Sequence, residues 1–493
     1  MKILLVYPEN PDTYWSFKHA LKFVSKKAVN PPLGLITVAS LLPAHWEKKL
    51  VDMNVSLLRD DDINNADYVF ISAMSVQLKS VNEIIRRCKS AGKKIVAGGP
   101  LFTEEYDRFS EVDHLVLNEA EITLPVFLKD LMNGGAKHIY QTSDYADIQS
   151  SPVPDYTLIK HKKYNSLNLQ YTRGCPYNCE FCDITALYGR KVRTKTTEQV
   201  LNELENLYNT GWRKNVFFVD DNFIGNKAKL KESLLPAMIK WMQNHNYPFT
   251  FMTEASINLA DDPQLLKMMV QSGFDQVFIG IETTEEASLI ECNKTQNHKR
   301  DLLQSVKIIQ SAGIEVTAGF IVGFDNDSPG VFQQMTEFIQ HSGIITAMVG
   351  LLNAPRKTKL YERLEKEGRI TDQWTGDNTD YSMNFVPKMN RHILMKGYQS
   401  VLHGIYASRP YYERVISFLK TFNPSLRSKG RFSFNGLKAF IKSIVIIGIL
   451  KKNRRYYWKL LFWSLFHKPE TFSMVVTYSI FGYHYRKVYN VRS

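Results

Sequence analysis

Residues 173–184, RGCPYNCEFCDI, carry three of the chain's five cysteines, Cys175, Cys179 and Cys182, in a C-x3-C-x2-C spacing. That spacing supplies three thiolates to a cubane 4Fe–4S cluster and withholds the fourth. One iron is then free to bind a small molecule, whereas four cysteine ligands would make an electron carrier. The competing reading is a zinc knuckle built from three Cys and one His. Zinc sites more often show two Cys-x2-Cys-like pairs, and this chain has no second pair.

The loop follows an apolar run, LNLQYTRG (167–174), and five further runs succeed it: NVFFVDDNF (215–223), FTFMTEAS (249–256), QVFIGIET (276–283), VTAGFIVGF (316–324) and ITAMVGLL (345–352). Amphipathic segments such as 198–211, 262–273 and 300–313 separate them and end in Gly. Six βα units in series predict a partial (β/α)6 TIM-like barrel over 165–370, with its chemistry on the carboxyl rim of the strands. The rim carries Asp220, Asp221 and Asn222 on the second strand, Glu254 on the third and Glu282 on the fourth. Carboxylates are costly to bury unpaired, so this placement points to a polar ligand there. Asp261 and Asp262, just before Pro263, read instead as a helix N-terminus.

Upstream, KILLVY (2–7), KKLVDM (48–53), DYVFISA (67–73), KKIVAGG (93–99) and DHLVLNEAE (113–121) read as five strands. Segments 32–42, 80–92 and 122–132 read as the helices between them. Near-continuous apolar strands alternating with helices predict a Rossmann-like α/β domain over 1–140, a parallel sheet covered on both faces. Ligands on such sheets sit at the carboxyl strand ends. There lie Asp52 and Asn54, Ser72, Met74 and Ser75, Gly98, Gly99 and Pro100, and Glu119. The paired glycines would admit a bulky ligand close to the backbone. The polar, Pro-containing stretch 136–165 reads as a linker.

Residues 371–493 predict a basic, aromatic helical region. Of the net charge of +13, residues 401–493 contribute +15, from 17 Lys and Arg against two acids. The remaining chain is nearly balanced. The apolar stretch at Ile444–Leu450 is too short for the ~20 residues of a membrane span. Two readings stand side by side: a basic amphipathic helix on an anionic membrane surface, or a helical cap with a solvated basic face. Only Cys88 and Cys292 lie outside the cluster loop, which excludes a disulfide framework and fits a reducing cytoplasm. Cys88 reads as core on its helical pattern, while Cys292 follows a predicted strand and reads as structural, with a place facing the site as the alternative. The N-terminal MKILLVYP reads as a buried strand rather than a signal peptide.

The Cys loop with its preceding Arg-Gly, Phe181 before the last cysteine, and Gly319-x-Ile321-x-Gly323 resemble the radical S-adenosylmethionine superfamily. A five-strand α/β domain ahead of such a barrel is similar to its cobalamin-binding class. NPPLGLITVASLLP (30–43), FCDITALYGRKVRTK (181–195), FFVDDNFIGNK (217–227) and MTEASINLADDP (252–263) resemble the subgroup that includes the hopanoid C-2 methylases, over about residues 1–370.

The resemblance implies a 4Fe–4S cluster on Cys175, Cys179 and Cys182, with S-adenosylmethionine on its open iron. It implies that Phe181, Asp220, Asp221, Asn222, Glu254, Glu282, Gly319, Ile321 and Gly323 hold that ligand. Cobalamin would then lie against Asp52, Asn54, Ser72, Met74, Ser75, Gly98, Gly99, Pro100 and Glu119. The implied activity is radical methylation of an unactivated carbon in a lipid or other apolar metabolite. A flavodoxin- or ferredoxin-type donor supplies the electron, and the basic tail contacts the inner face of the membrane. Cobalamin-assisted cyclisation, rearrangement or oxidation is the alternative, and a cobalamin or redox sensor a non-enzymatic one. The tail has no nucleic-acid motif. RNA methylthiolation would need three more cluster cysteines in the first domain, where Cys88 stands alone.

Two departures are visible. The D-x-H-x-x-G signature of cobalt ligation from below is absent, because Met53 and Asn54 follow Asp52. The sixth-strand loop reads Asn353-Ala354-Pro355-Arg356-Lys357-Thr358 in place of a Pro-Gly-Thr turn, and predicts an altered substrate mouth.

Overall fold

The computed structural model describes residues 1–371, 375–377, 379–424 and 434–491. Its first sheet contains β1 (Lys2–Tyr7), β2 (Glu47–Asp52), β3 (Tyr68–Ser72), β4 (Lys94–Gly98), β5 (His114–Val116) and β6 (Ile139–Tyr140). All pairs are parallel, in the order β2-β1-β3-β4-β5-β6. Helices α1 (Leu33–Leu41), α2 (Leu78–Ser90) and α3 (Ala120–Met132) cover it. Successive strand residues point to opposite faces, so each strand feeds two cores. Leu4, Val6 and Ile71 pack with Ile84 and Cys88 of α2. Ile3, Leu5 and Phe70 pack with Leu35 of α1 and Phe127 of α3. Cys88 is therefore core, as its helical pattern predicts.

The sixth strand lies inside the stretch that reads as a linker. Two residues are too few to show a period, and the strand exists because Leu117 N–H donates to Tyr140 O at 2.9 Å. The rest of that stretch is packed too: Tyr156 is buried and its hydroxyl donates to Asn168 O.

The second sheet holds β7 (Leu167–Leu169), then, after the short antiparallel hairpin β8 (Thr172–Arg173) and β9 (Arg193–Thr194), β10 (Asn215–Phe218), β11 (Thr250–Glu254), β12 (Phe274–Glu282), β13 (Glu315–Val322) and β14 (Ala347–Leu351). These six strands are parallel and neighbour one another in chain order, the arrangement of an opened (β/α) barrel. The intervening helices are α4 (Thr197–Asn209), α5 (Leu235–Asn244), α6 (Pro263–Ser272), α7 (Leu302–Ser311) and α8 (Val331–Ser342). Asp262 caps α6 by accepting from Leu265 N–H, and Asp261 pairs with Arg300. Asp262 thus serves the helix start that its position before Pro263 predicts, whereas Asp261 is held in an ion pair instead.

Beyond the barrel lie α9 (Lys359–Lys366), α10 (Arg391–Tyr406), α11 (Ser408–Thr421), α12 (Phe434–Ser443), α13 (Arg454–His467) and α14 (Phe472–Val488). Helix α12 continues through a wider π-type turn, Ile444–Ile449. Tyr398, Tyr406 and Tyr485 anchor this layer to the barrel, donating to Val349 O, Ala347 O and Thr346 Oγ1. A hook at residues 14–17 ties the two ends of the chain together. Tyr14 stacks on Tyr485 with ring centroids 4.7 Å apart, and its carbonyl meets His484 Nε2 at 2.9 Å. Trp15 donates to Met348 Sδ and lies edge-on to Phe278 in the barrel.

Candidate active site

The carboxyl ends of both sheets line one cavity of about 730 Å³, within the size range of ligand sites. One wall comes from the first domain and includes Ser72, Met74, Ser75, Gly98, Gly99 and Pro100. The other comes from the barrel and includes Phe181, Cys182, Asp221, Glu282, Gly319 and Ile321. Leu33, Val38 and Leu41 of α1, with Leu124 and Leu352, make much of the remaining lining apolar.

The cysteine loop is pinned at several points. Gly174 has φ 88°, and a Cβ there would stand 2.8 Å from Lys191 O. Its N–H donates to Asp221 Oδ2 at 3.0 Å. Downstream, Glu180 N–H donates to Cys292 O, and Glu180 pairs with Arg363 at 2.7 Å. Burial pushes all three cluster-loop thiols above their ordinary range. Among the described residues, no three His, Cys, Asp or Glu side chains gather closely enough for a single ion. A zinc ion needs its sulfurs about 2.3 Å from one centre. Three thiols on one loop are the ligand number of a cluster in which each thiol takes its own iron. Cys292 is buried, with its thiol turned to Leu289 O, and serves the core.

The rim acids divide by role. Asp220 is buried and accepts from the backbone N–H groups of Tyr171 and Thr172, locking the strand that leads into the cysteine loop. Asn222 is occupied with Ser256, whose N–H it accepts. Asp221 and Glu282 line the cavity, while Glu254 lies near both but outside the lining. Burial and mutual repulsion push Glu254 up to about 8, with Asp221, Asp220 and Glu282 as its acidic neighbours. Burial brings Asp221 up to about 6. Glu282 has φ 66° at a register shift in β12. A non-glycine residue in that region is strained, and such strain collects at functional sites.

Sequence reading missed Lys294. Its ammonium lies 2.6 Å from Glu282 Oε1 and 6.0 Å from the Phe181 ring centre. Its neighbours Glu282, Cys179 and Cys182 hold its pKa well above the usual lysine range despite burial. No periodicity marks it, because it sits in a polar loop folded back over the cysteines. Gln296 in the same loop reaches Cys179 Sγ at 3.9 Å. Glu104 was missed as well. It is buried at the cavity wall, with Oε1 unpartnered, and burial followed by repulsion from Asp183 raises it to about 8.

The first-domain residues are only partly brought together. Asp52 and Asn54 stand outside the cavity lining. Asp52 accepts from Tyr164 hydroxyl and from Asn54, bracing the sheet against the following segment. Glu119 lines the cavity but is spent on Arg173 and Arg193 at 2.6 and 2.8 Å. Gly98 and Gly99 are required by their own surroundings: a Cβ would meet Val116 O or Ser72 Oγ at 2.5 Å. Gly323 has φ 109° and donates to Asp327, away from the lining. Asn353 and Pro355 of the sixth-strand loop line the cavity, while Arg356 and Lys357 lie outside the lining. The latter two clamp the first domain, to Asp107 and to Thr103 O.

The residues present fit the cofactors that this fold implies. Three thiols without a fourth suit an open-iron cluster, and an acid-rich rim with the buried Lys294 beside it suits a ligand bearing ammonium, hydroxyl and carboxylate groups. Among the described residues no histidine lines the cavity.

Comparison with known proteins agrees. Residues 169–339 match the radical SAM superfamily, residues 24–128 the B12 binding domain, and residues 358–492 a domain of unknown function, DUF4070. An uncharacterized methyltransferase of Synechocystis sp. is 40% identical over 490 residues, 98% of this chain and 91% of the relative. The hopanoid C-2 methylase of Rhodopseudomonas palustris is 35% identical over 390 residues, 78% and 73% of the two chains. In fold, the chain is similar to the radical S-adenosylmethionine methyltransferase TsrM of Kitasatospora setae, solved with cobalamin and a 4Fe–4S cluster. The TM-score is 0.62 at 12% identity, over 81% of this chain and 90% of that one. With that fold, that cysteine loop and full-length relatives of this kind, the chain belongs to the B12-binding radical SAM methyltransferases, the enzyme family that includes the hopanoid C-2 methylase.

Proposed function

We infer that the enzyme methylates an unactivated carbon of an apolar, lipid-like substrate held in the cavity between its two sheets. The observation that carries this reading is the cavity itself, with the cysteine loop on one wall, the first domain's strand ends on the other and apolar side chains between them. Bound there, the cluster with S-adenosylmethionine supplies the radical that removes an inert hydrogen, and cobalamin supplies the methyl group.

In this reading Cys175, Cys179 and Cys182 hold the cluster. Asp221, Glu254 and Glu282 accept hydrogen bonds from the ammonium and hydroxyl groups of S-adenosylmethionine, and Lys294 balances their charge. Phe181, Gly319 and Ile321 form its apolar seat, which the small Gly319 keeps open beside Phe278. Ser72, Met74, Ser75 and the Gly98–Pro100 turn face cobalamin. Asp220, Asn222, Glu119 and Asp52 position these walls rather than touch a ligand. The apolar α1 face excludes water from the reacting carbon. An external flavodoxin- or ferredoxin-type protein delivers the electron, and the basic C-terminal region meets the anionic membrane where a lipid substrate resides. The named activity of the hopanoid relative supports the choice of substrate class.

The test is anaerobic reconstitution with iron, sulfide and hydroxocobalamin, followed by S-adenosylmethionine, reductant and, in parallel, bacterial lipid extract or the water-soluble metabolite fraction. Deoxyadenosine formation together with a lipid heavier by one methylene is the expected result. Deoxyadenosine with no methylated lipid, but with a methylated water-soluble metabolite, overturns the lipid assignment.

A further inference from the structure

The C-terminal helices leave an apolar stripe uncovered. Leu437, Ile441, Val445 and Ile449 recur every four residues along α12 and its π-type extension, and each is more than a third exposed. Leu450, at the following turn, is 71% exposed. On α13, which packs back against this segment through Gly448 and Tyr457, Phe462 and Leu465 are about half exposed and Phe466 is 81% exposed. The opposite sides are buried: Ala439, Ile447, Tyr457, Leu460 and Leu461 join the main core. The stripe is therefore surplus to folding.

Its surroundings are basic. Residues 434–468 contain eight Lys and Arg and no acid. Lys438, Lys452, Arg454, Arg455 and Lys459 are exposed on the same two helices and the turn between them. A partner surface must then be apolar beneath and negative above. The helical stretch 434–449 is about 24 Å long at 1.5 Å per residue, and among the described residues no helix is long and apolar enough to cross a membrane. An amphipathic segment with an apolar face, a basic rim and too little length to span lies in the plane of a bilayer surface.

We propose that residues 434–468, within the domain of unknown function, form a membrane-docking face that inserts the Leu437–Leu450 stripe and Phe466 among the headgroups of an anionic bilayer. This deepens the reading that the basic region meets a membrane, and it is independent of methyl transfer. The basic rim supplies attraction to phosphate headgroups, which salt screens, while the apolar stripe supplies the part that salt does not remove. A second copy of the chain would repel such a rim, because both faces would carry the same charge.

The test is flotation of the purified full-length protein with vesicles of phosphatidylcholine alone or mixed with phosphatidylglycerol. The variants are Leu450→Asp with Phe466→Asp, at the two most exposed positions, where packing is not disturbed, and Lys452→Glu with Arg455→Glu. The wild type is expected to float with the anionic vesicles, and the charge-reversed pair to bind at least about ten-fold more weakly at low salt. The Asp pair should lose the binding that survives high salt. Absence of wild-type binding, equal binding by the Asp pair, or a wild-type dimer that the Asp pair converts to monomer each overturns the proposal. Deoxyadenosine formation without vesicles, expected at the wild-type rate in every variant, is read in parallel. Its failure in the wild type would count against the enzymatic reading alone.

Discussion

Lys294 reaches Glu282 Oε1 at 2.6 Å from a loop twelve residues downstream. Both groups are largely withdrawn from water beside the cysteine loop. Removing one partner of a buried pair leaves an uncompensated charge, which costs about 3–5 kcal/mol. Lys294→Met is expected to destabilise the apoprotein by that order. Lys294→Met with Glu282→Gln should regain most of the loss, since neither charge then remains. Neither variant should form deoxyadenosine above background. Urea unfolding read beside the deoxyadenosine assay checks this, and a double variant as unstable as Lys294→Met refutes the pairing.

Glu104 predicts a pH dependence of stability. Its carboxyl ionises near 4.5 in an unfolded chain but only at about 8 in the fold, where burial and Asp183 oppose the charge. Between those values the folded state binds the extra proton, so stability falls as pH rises from about 4.5 to 8. Glu104→Gln removes that slope and should stabilise the protein at pH 8 by on the order of 4 kcal/mol. Unfolding midpoints measured at about pH 5 and pH 8 decide it. Parallel losses in both proteins would show that Glu104 is not the source.

Arg173 joins the barrel to Glu119 and Glu121 of the first domain. Burial raises the Glu121 carboxyl, but the charge and hydrogen bonds of Arg173 outweigh it and bring the pKa down to about 2. This contribution is complete above about 4.5 and is lost as pH falls through about 2. Arg173→Met should cost about 3–5 kcal/mol at neutral pH, because the buried Glu121 loses its cation while Glu119 keeps only Arg193. It should also move acid unfolding to higher pH. Unchanged acid unfolding in this variant would be inconsistent with the pairing.

His484 is fully buried, with its Nε2 at Tyr14 O, and burial lowers its pKa to about 4. His19 and Asp12 are the charged groups acting on it, in opposite directions. The neutral ring belongs to the fold, so its contribution is present above about 6.5 and is lost as pH falls through about 4. His484→Phe should cost about 1 kcal/mol at neutral pH, the value of one hydrogen bond. At pH 4 it should be the more stable protein, since no imidazole remains to be protonated. A crossing of the two stability curves between those pH values is the expected measurement.

The cysteine loop, the strands with their rim acids and the basic tail were legible because each is written in a short contiguous segment. What the sequence hid depends on distant segments. Lys294 matters only because its loop folds over cysteines more than a hundred residues earlier. Glu104 reads as an ordinary helical acid until Asp183 faces it. Strand β6 needs the edge of β5 to exist. Gly98 and Gly99 were expected for a ligand, but their own neighbouring strands and turns already exclude a side chain. Helix α14 is apolar on nearly all sides because it is buried among its neighbours, so it shows little amphipathic contrast.

The aromatic hook at Tyr14 has a consequence for biosynthesis. Its partner His484 lies 470 positions away, and closing so long a loop is entropically slow relative to local contacts. As the chain leaves the ribosome, the first sheet can pair early. Tyr14, by contrast, has no complete seat until the final helix has been made. A nascent chain halted anywhere before α14 would therefore hold both sheets while Tyr14 still lacked the Tyr485 ring and the His484 imidazole that fix it.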